Sequence, residues 1–130
     1  MCSSDLQRGC YDALHQGEIL HTIRQGELGS FDVVVAANVV IYFGDLAPLA
    51  GAVGGVLRPG GMFLFDVEKG TSDEKAGFHT AGRYTHSISL LERSFVGPAY
   101  AGVVIEDAVM REEGGAPVPA LCCAATRSNP

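Results

Sequence analysis

The apolar positions of this chain fall into runs of two kinds, strand-like and helix-like, separated by glycine, proline and acidic punctuation. Residues Phe31 to Ala37, FDVVVAA, form a β-branched apolar run behind Gly29 and Ser30. A strand apolar on both faces belongs in a sheet covered on both sides, as parallel sheets are. After Gly44 the spacing changes: Leu46, Leu49, Val53, Val56 and Leu57 recur at helical intervals, with Asp45 placed to cap, Pro48 tolerated in the first turn and Arg58 at the end, where the helix dipole favours a cation. The stretch LRPGGMFLFD, Leu57 to Asp66, then predicts a stop at Pro59, a reversal through Gly60 and Gly61, and a second buried strand, MFLFDV. The unit reads strand, helix, parallel strand. Such crossovers are right-handed almost without exception, so both strands open their carboxyl ends, near Asn38 and Asp66, on one edge of the sheet, where open α/β sheets bind ligands.

Gly51, Gly54 and Gly55 interrupt the helix, and each costs about 1 kcal/mol relative to alanine. Close packing against the sheet is the expected compensation; a phosphate loop is disfavoured because no strand leads directly into these glycines. Residues 69–85 read as a polar loop, residues 86–97 as a helix with Ile88, Leu91 and Phe95 in helical register, and residues 102–127 as an antiparallel β-hairpin turning at REEGG. Residues 31–68 are the strand-helix-strand core, and residues 1–30 are expected to be loosely held.

Composition narrows this picture. A chain of 130 residues supports one core, and 47% hydrophobic against 18% charged residues is a folding composition. The net charge of -6 argues against nucleic acid or an anionic membrane as partner, since both need clustered Lys and Arg. The first residues, MCSSDLQRGCYD, carry no apolar core of a secretory signal, and VVVAANVVIYF is too short to span a bilayer, so a cytoplasmic location is expected. Cys2, Cys10, Cys122 and Cys123 lack C-x-x-C spacing and read as free thiols, with Cys122 and Cys123 acting as small apolar residues. His15, His21 and His79 are scattered without ligand spacing, and no metal site is expected.

FDVVVAANVVIYFGDLAPLAGAVGGVLRPGGMFLFDVE resembles the middle of a class I S-adenosylmethionine-dependent methyltransferase. GRYTHS, the helix after it and VMREEGGAPVPAL resemble the end of one bacterial branch of that family, whose members often carry tetratricopeptide repeats upstream. The resemblance implies a Rossmann-like α/β sheet in the spatial order three, two, one, four, five, seven, six. FDVVVAA is then strand four, MFLFDV strand five, and the C-terminal hairpin strands six and seven. The family's first strand with its G-x-G-x-G loop and its second strand, ending in the ribose-binding acid, are not found. The chain thus resembles roughly the C-terminal half, and strand four is left with an exposed apolar edge suited to self-association or to another chain.

The same resemblance assigns candidate residues. ALHQGEIL resembles strand three and the cofactor-facing turn after it, so Glu18 stands where an acid accepts from the adenine amine, with the Ile19 backbone beside it; otherwise Glu18 is a solvated charge. Ala37 and Asn38 end strand four facing the cofactor, S-adenosylmethionine; Asn38 reads equally as a local turn residue. Tyr42 is a wall of the substrate pocket or plain packing. Arg83 and Tyr84 border the same pocket, and His86 is either a base for an amine or hydroxyl nucleophile or a surface or helix-start residue. Asp66 and Glu68 attract a cationic substrate or simply end a strand. The partner implied is a small-molecule or protein methyl acceptor. Against the methyltransferase reading stand a non-catalytic interaction module and another doubly wound enzyme such as a nicotinamide dehydrogenase, which the hairpin and the missing G-x-G-x-x-G disfavour.

Overall fold

The computed structural model describes residues 9, 11–13, 15–25, 30–70, 77–79 and 83–129. Strand β1, Phe31–Ala36, lies parallel to β2, Leu57–Lys69, joined through a 3-10 turn, Val40–Tyr42, and helix α2, Ala47–Val56; helix α1, Ile19–Arg24, precedes them. The hairpin β5, Tyr100–Glu113, and β6, Ala116–Arg127, turns on Gly114 and Gly115 with φ of 58° and 80°, a conformation that glycine takes at no steric cost. Strand β6 runs antiparallel to β2 from Met62 opposite Thr126 to Glu68 opposite Ala120. The four principal strands therefore lie in the order β1-β2-β6-β5, which is the four, five, seven, six of the expected sheet.

The span read as a loop contains two short strands, β3, Gly77–His79, and β4, Arg83–His86, paired antiparallel. Strand β4 joins the edge of β2 beyond β1, with Glu68 opposite Thr85 and Lys69 opposite His86. Helix α3, Ile88–Ser94, starts two residues later than expected, because Ser87 Oγ accepts from the Leu90 N–H and so serves as the N-cap. At the other end of the chain, the expected strand over ALHQGEIL is absent among the described residues. Glu18 instead caps α1, whose Leu20 and Ile23 pack against the core.

LRPGG does more than end a helix. Helix α2 stops at Val56, three residues ahead of Pro59, and Leu57 already pairs with Phe31. The next partner of β1 is Met62, opposite Val33, so residues 58–61 bulge out over Asp32. Gly60 takes φ 79° to make the bulge. A Cβ on Gly61 would stand 2.8 Å from Arg58 O and 2.9 Å from Asp32 O, so only glycine fits. An Arg58–Asp32 ion pair of 2.8 Å spans the bulge, and an Arg127 guanidinium N–H donates to Leu57 O from the neighbouring strand β6.

Helices α2 and α3 cover one face of the sheet. Leu49, Ala50 and Val53 of α2 and Leu91 of α3 bury against Phe63, Phe65 and Val67 of β2 and Leu121, Cys123 and Ala125 of β6. Phe63 and Phe65 stack at 4.6 Å, Phe95 lies 5.1 Å from Phe65, and Tyr100 meets Phe95 edge-on at 5.1 Å. Burial of each such side chain contributes about 1.5–3 kcal/mol. The expected packing of all three helix glycines is corrected here. Gly54 faces the Tyr100 ring, whereas a Cβ on Gly51 or Gly55 would meet nothing within 4 Å. The opposite face is open among the described residues, with Val33, Val35 and Val104 at 49%, 68% and 66% exposure, so covering on both sides is observed on one side only.

Candidate functional site

The carboxyl ends of β1 and β2 meet where the crossover rule places them. Asn38, just past β1, adopts φ 56°, a left-handed conformation that asparagine tolerates better than other side-chain-bearing residues. Its N–H donates to Asp66 Oδ1 at 2.8 Å, so the carboxylate of β2 fixes the turn leaving β1. The bond is made by the Asn38 backbone, and its partner is a side chain 28 residues away.

A second group of candidates forms beyond that turn. Phe43 O accepts from His86 Nε2 at 2.8 Å, and the Tyr84 ring lies against Gly44 so closely that a Cβ there would stand 2.8 Å from it. Strand β4 thereby clamps the segment after the 3-10 turn, bringing the segment that carries Tyr42 to the one that carries Arg83 and Tyr84. Tyr42 itself is 61% exposed. Arg83 Nε donates to Glu68 Oε2 at 2.6 Å, with side-chain exposures of 13% and 6%. The pair is largely withdrawn from solvent, and each charge helps compensate the other there. Glu68 thus holds β4 and does not present a free carboxylate to solvent.

His86 has no exposed surface, and burial depresses its pKa below the usual histidine value, against the smaller opposing effect of its bond to Phe43 O. With Nε2 donating, Nδ1 is the lone-pair nitrogen, and it is buried with no hydrogen-bond partner. The ring ties β4 to the 43–44 segment from inside the molecule. A base must reach the proton it takes, and a ring without exposed atoms does not. His86 is thus neither the surface residue expected nor accessible as a base in this geometry; it ends β4 inside the molecule.

The cofactor candidates divide as well. Ile19 and Ala37 line one apolar hollow of about 260 Å³ together with Ile23, Val39, Leu49 and Phe63. Glu18 adjoins it through α1, but its Oε2 accepts the His21 N–H at 2.7 Å, and that bond holds its pKa below the usual carboxylate value. The Asn38–Asp66 contact, the Phe43–His86 bond and the Arg83–Glu68 pair carry no short-range sequence signal, since their members lie 28, 43 and 15 residues apart.

Comparison with known proteins gives a fold and no closer relation. No protein-family model matches the chain, and no curated protein matches it. Among solved structures it is similar to TehB from Haemophilus influenzae, with TM-score 0.58 and 11% identity over 91% of this chain and 40% of that one. It is also similar to an O-methyltransferase family protein from Burkholderia thailandensis, with TM-score 0.51 and 16% identity over 89% and 35% of the two chains. A third is the N-methyltransferase NodS from Bradyrhizobium japonicum WM9, solved in complex with S-adenosyl-L-homocysteine, with TM-score 0.50 and 18% identity over 82% and 50%. The chain has part of the methyltransferase fold and spans half or less of the length of each of these structures. Among the described residues, no helix is long and apolar enough to cross a membrane.

Proposed function

We propose that this chain is the C-terminal portion of an S-adenosylmethionine-dependent methyltransferase that acts on an acceptor bound at the carboxyl edge of its sheet. The observation that carries the reading is the strand order. A parallel β1-β2 pair runs into an antiparallel β6-β5 pair, with Asn38 and Asp66 joined where the parallel strands end. The same partial fold occurs in a neighbour solved with S-adenosyl-L-homocysteine. The finer placement, in the branch with upstream tetratricopeptide repeats, rests on GRYTHS and the closing hairpin segment. A cytoplasmic location belongs to the same proposal, in keeping with the free thiols of Cys122 and Cys123.

The residues present fit part of the cofactor. The hollow between α1 and the end of β1 is apolar and of a size for a flat base, and it is bounded by Ile19 and Ala37. Glu18, at the start of α1, would face an adenine amine from the rim, and Asn38 would stand at the reacting end. S-adenosylmethionine would supply the methyl group from its sulfonium. The chain's own residues have a positioning task, which provides most of the acceleration in such chemistry. Asp66 sets the Asn38 turn, and the Arg83–Glu68 pair with buried His86 holds the Tyr42 and Tyr84 segments together as a substrate wall.

Titration calorimetry of the purified chain with S-adenosyl-L-homocysteine tests this reading. Saturable heat that weakens in Glu18→Ala and Asn38→Gly supports it; no heat at millimolar ligand rejects it for this chain. The second reading, an interaction module, is favoured by the free outer edge of β1, where Val33 and Val35 are exposed and no strand pairs among the described residues. It predicts no cofactor heat and self-association in sedimentation that Val35→Lys abolishes.

A further inference from the structure

Strand β4 meets β2 over a short ladder, Glu68 opposite Thr85 and Lys69 opposite His86, whereas β6 follows β2 from Met62 to Glu68. Further contacts fasten it: the His86 Nε2 bond to Phe43 O, the Gly70 N–H donating to His86 O at 2.8 Å, the Tyr84 ring against Gly44 and the Arg83–Glu68 pair. One of these contacts depends on a proton. With Nε2–H donating to the carbonyl, a second proton on the ring would enter at Nδ1, which is buried with no partner among the described residues. It would create a charge and an N–H with no acceptor, both far costlier inside the molecule than in water. The ionisable groups on the surrounding elements do not relieve this. On β2, Glu68 pairs with Arg83 and Lys69 with Asp107 at 2.7 Å; after the 43–44 segment, Asp45 accepts the Ala47 N–H; on α3, Glu92 and Arg93 are exposed. Strand β3, whose His79 stands opposite Arg83, ends its ladder at Thr85. Burial lowers the His86 pKa and the Phe43 bond raises it, with no contribution from a neighbouring charge.

We infer that β4 is a proton-released clamp: protonation of His86 frees β4 from Phe43 and from the end of β2, while the β1-β2-β6-β5 sheet stays folded. The release stops at Ser87, because its cap on α3 and the burial of Leu91 and Phe95 anchor the chain beyond it. In the released strand the ring is solvated and takes its ordinary pKa of 6.5, so a falling pH favours the open form. The opening constant should therefore rise about tenfold between pH 7.5 and 5.5. The consequence for function rests on the methyl-transfer reading. On it, the substrate wall comes apart below neutral pH and acceptor binding weakens there. The release itself is measured without any ligand, so the two proposals fail separately.

Amide hydrogen exchange of the ligand-free chain, followed by nuclear magnetic resonance and divided by the intrinsic rate at each pH, tests the clamp. The reporter is the Gly70 N–H, which loses its acceptor when β4 leaves. Its protection should lie below that of the β6 amides facing β2 at both pH values, and should fall about tenfold from pH 7.5 to 5.5. In His86→Gln, which keeps an N–H donor but does not titrate, the fall should be absent. Protection equal to that of β6, no fall with pH, or the same fall in His86→Gln overturns the proposal. Imidazole nitrogen shifts of the parent chain give a second reading that needs no variant. His86 should be the Nε2–H tautomer at pH 7.5, and a ring that protonates while Gly70 keeps its protection overturns the clamp as well.

Discussion

Three glycines in the ten-residue helix α2 offer a sharp test of the packing, because their surroundings differ while their intrinsic cost does not. Gly51 and Gly55 are exposed, and a Cβ at either would meet nothing within 4 Å. Gly51→Ala and Gly55→Ala should each stabilise the chain by about 1 kcal/mol, the full difference in helix propensity. Together they should give about 2 kcal/mol. Gly54 is buried, and its Cβ would stand 3.3 Å from the Tyr100 hydroxyl, which donates to Ala50 O at 2.6 Å. The added methyl must displace that oxygen. The propensity gain of about 1 kcal/mol is then offset by a weakened buried hydrogen bond of about the same size. Gly54→Ala should therefore be neutral or destabilising.

A double-mutant cycle isolates the cause. Tyr100→Phe removes the hydroxyl, and the ring carbons that remain lie at 3.6 Å, an ordinary contact. In that background Gly54→Ala should recover its gain of about 1 kcal/mol. The chain has no tryptophan, so urea unfolding followed by far-ultraviolet circular dichroism is the suitable assay. If the Gly51→Ala/Gly55→Ala double variant were no more stable than the parent, the open surroundings of these two positions would be wrong. If Gly54→Ala behaved alike in Tyr and Phe backgrounds, the steric account of Tyr100 would be wrong.

Three further outcomes follow from the geometry. Gly61→Ala should destabilise by about 1–3 kcal/mol in the same urea assay, because both contacts of the new Cβ are backbone oxygens that the bulge cannot move; a neutral result would reject the bulge. Arg83→Met should cost about 3–5 kcal/mol by leaving the Glu68 carboxylate without its guanidinium, and adding Glu68→Leu should restore much of that loss; a double variant as unstable as the single one would contradict this. The pKa of His86 is lowered on folding, so the unfolded chain binds the proton more readily. The stability due to neutral His86 is complete above the unfolded pKa of 6.5 and lost as pH falls below it. Melting temperature should therefore drop between pH 7.5 and 5.5, less so in His86→Gln, which keeps an N–H donor; equal slopes would assign the drop to other groups.

The unit FDVVVAA, helix, MFLFDV was legible because its signals are local: a β-branched run, a helical period and a proline-glycine stop each act over a few residues. The hairpin was legible for the same reason, since Gly114-Gly115 between two apolar runs supplies its own turn. Errors arose where two local readings were both allowed. ALHQGEIL suited a strand, but Glu18 accepting the His21 N–H selects a helix once Leu20 and Ile23 have a core to pack on. The loop over residues 69–85 conceals β3 and β4, because β4 gains its ladders only from β3 and from the end of β2 that runs beyond β1.

Sequence alone thus determined the elements with their own period and punctuation, and through them the parallel strand pair and the edge where ligands should gather. Tertiary structure alone decided which polar groups meet there. Asn38 finds Asp66, His86 finds Phe43 O, and Arg83 finds Glu68 only after distant strands have docked. It also decided that His86 faces inward and that Gly51 and Gly55 face open space while Gly54 does not. The physical reason is range. Backbone propensity and hydrophobic period act between near neighbours in sequence, whereas burial and hydrogen bonding of a single side chain are set by whichever segment folding brings against it.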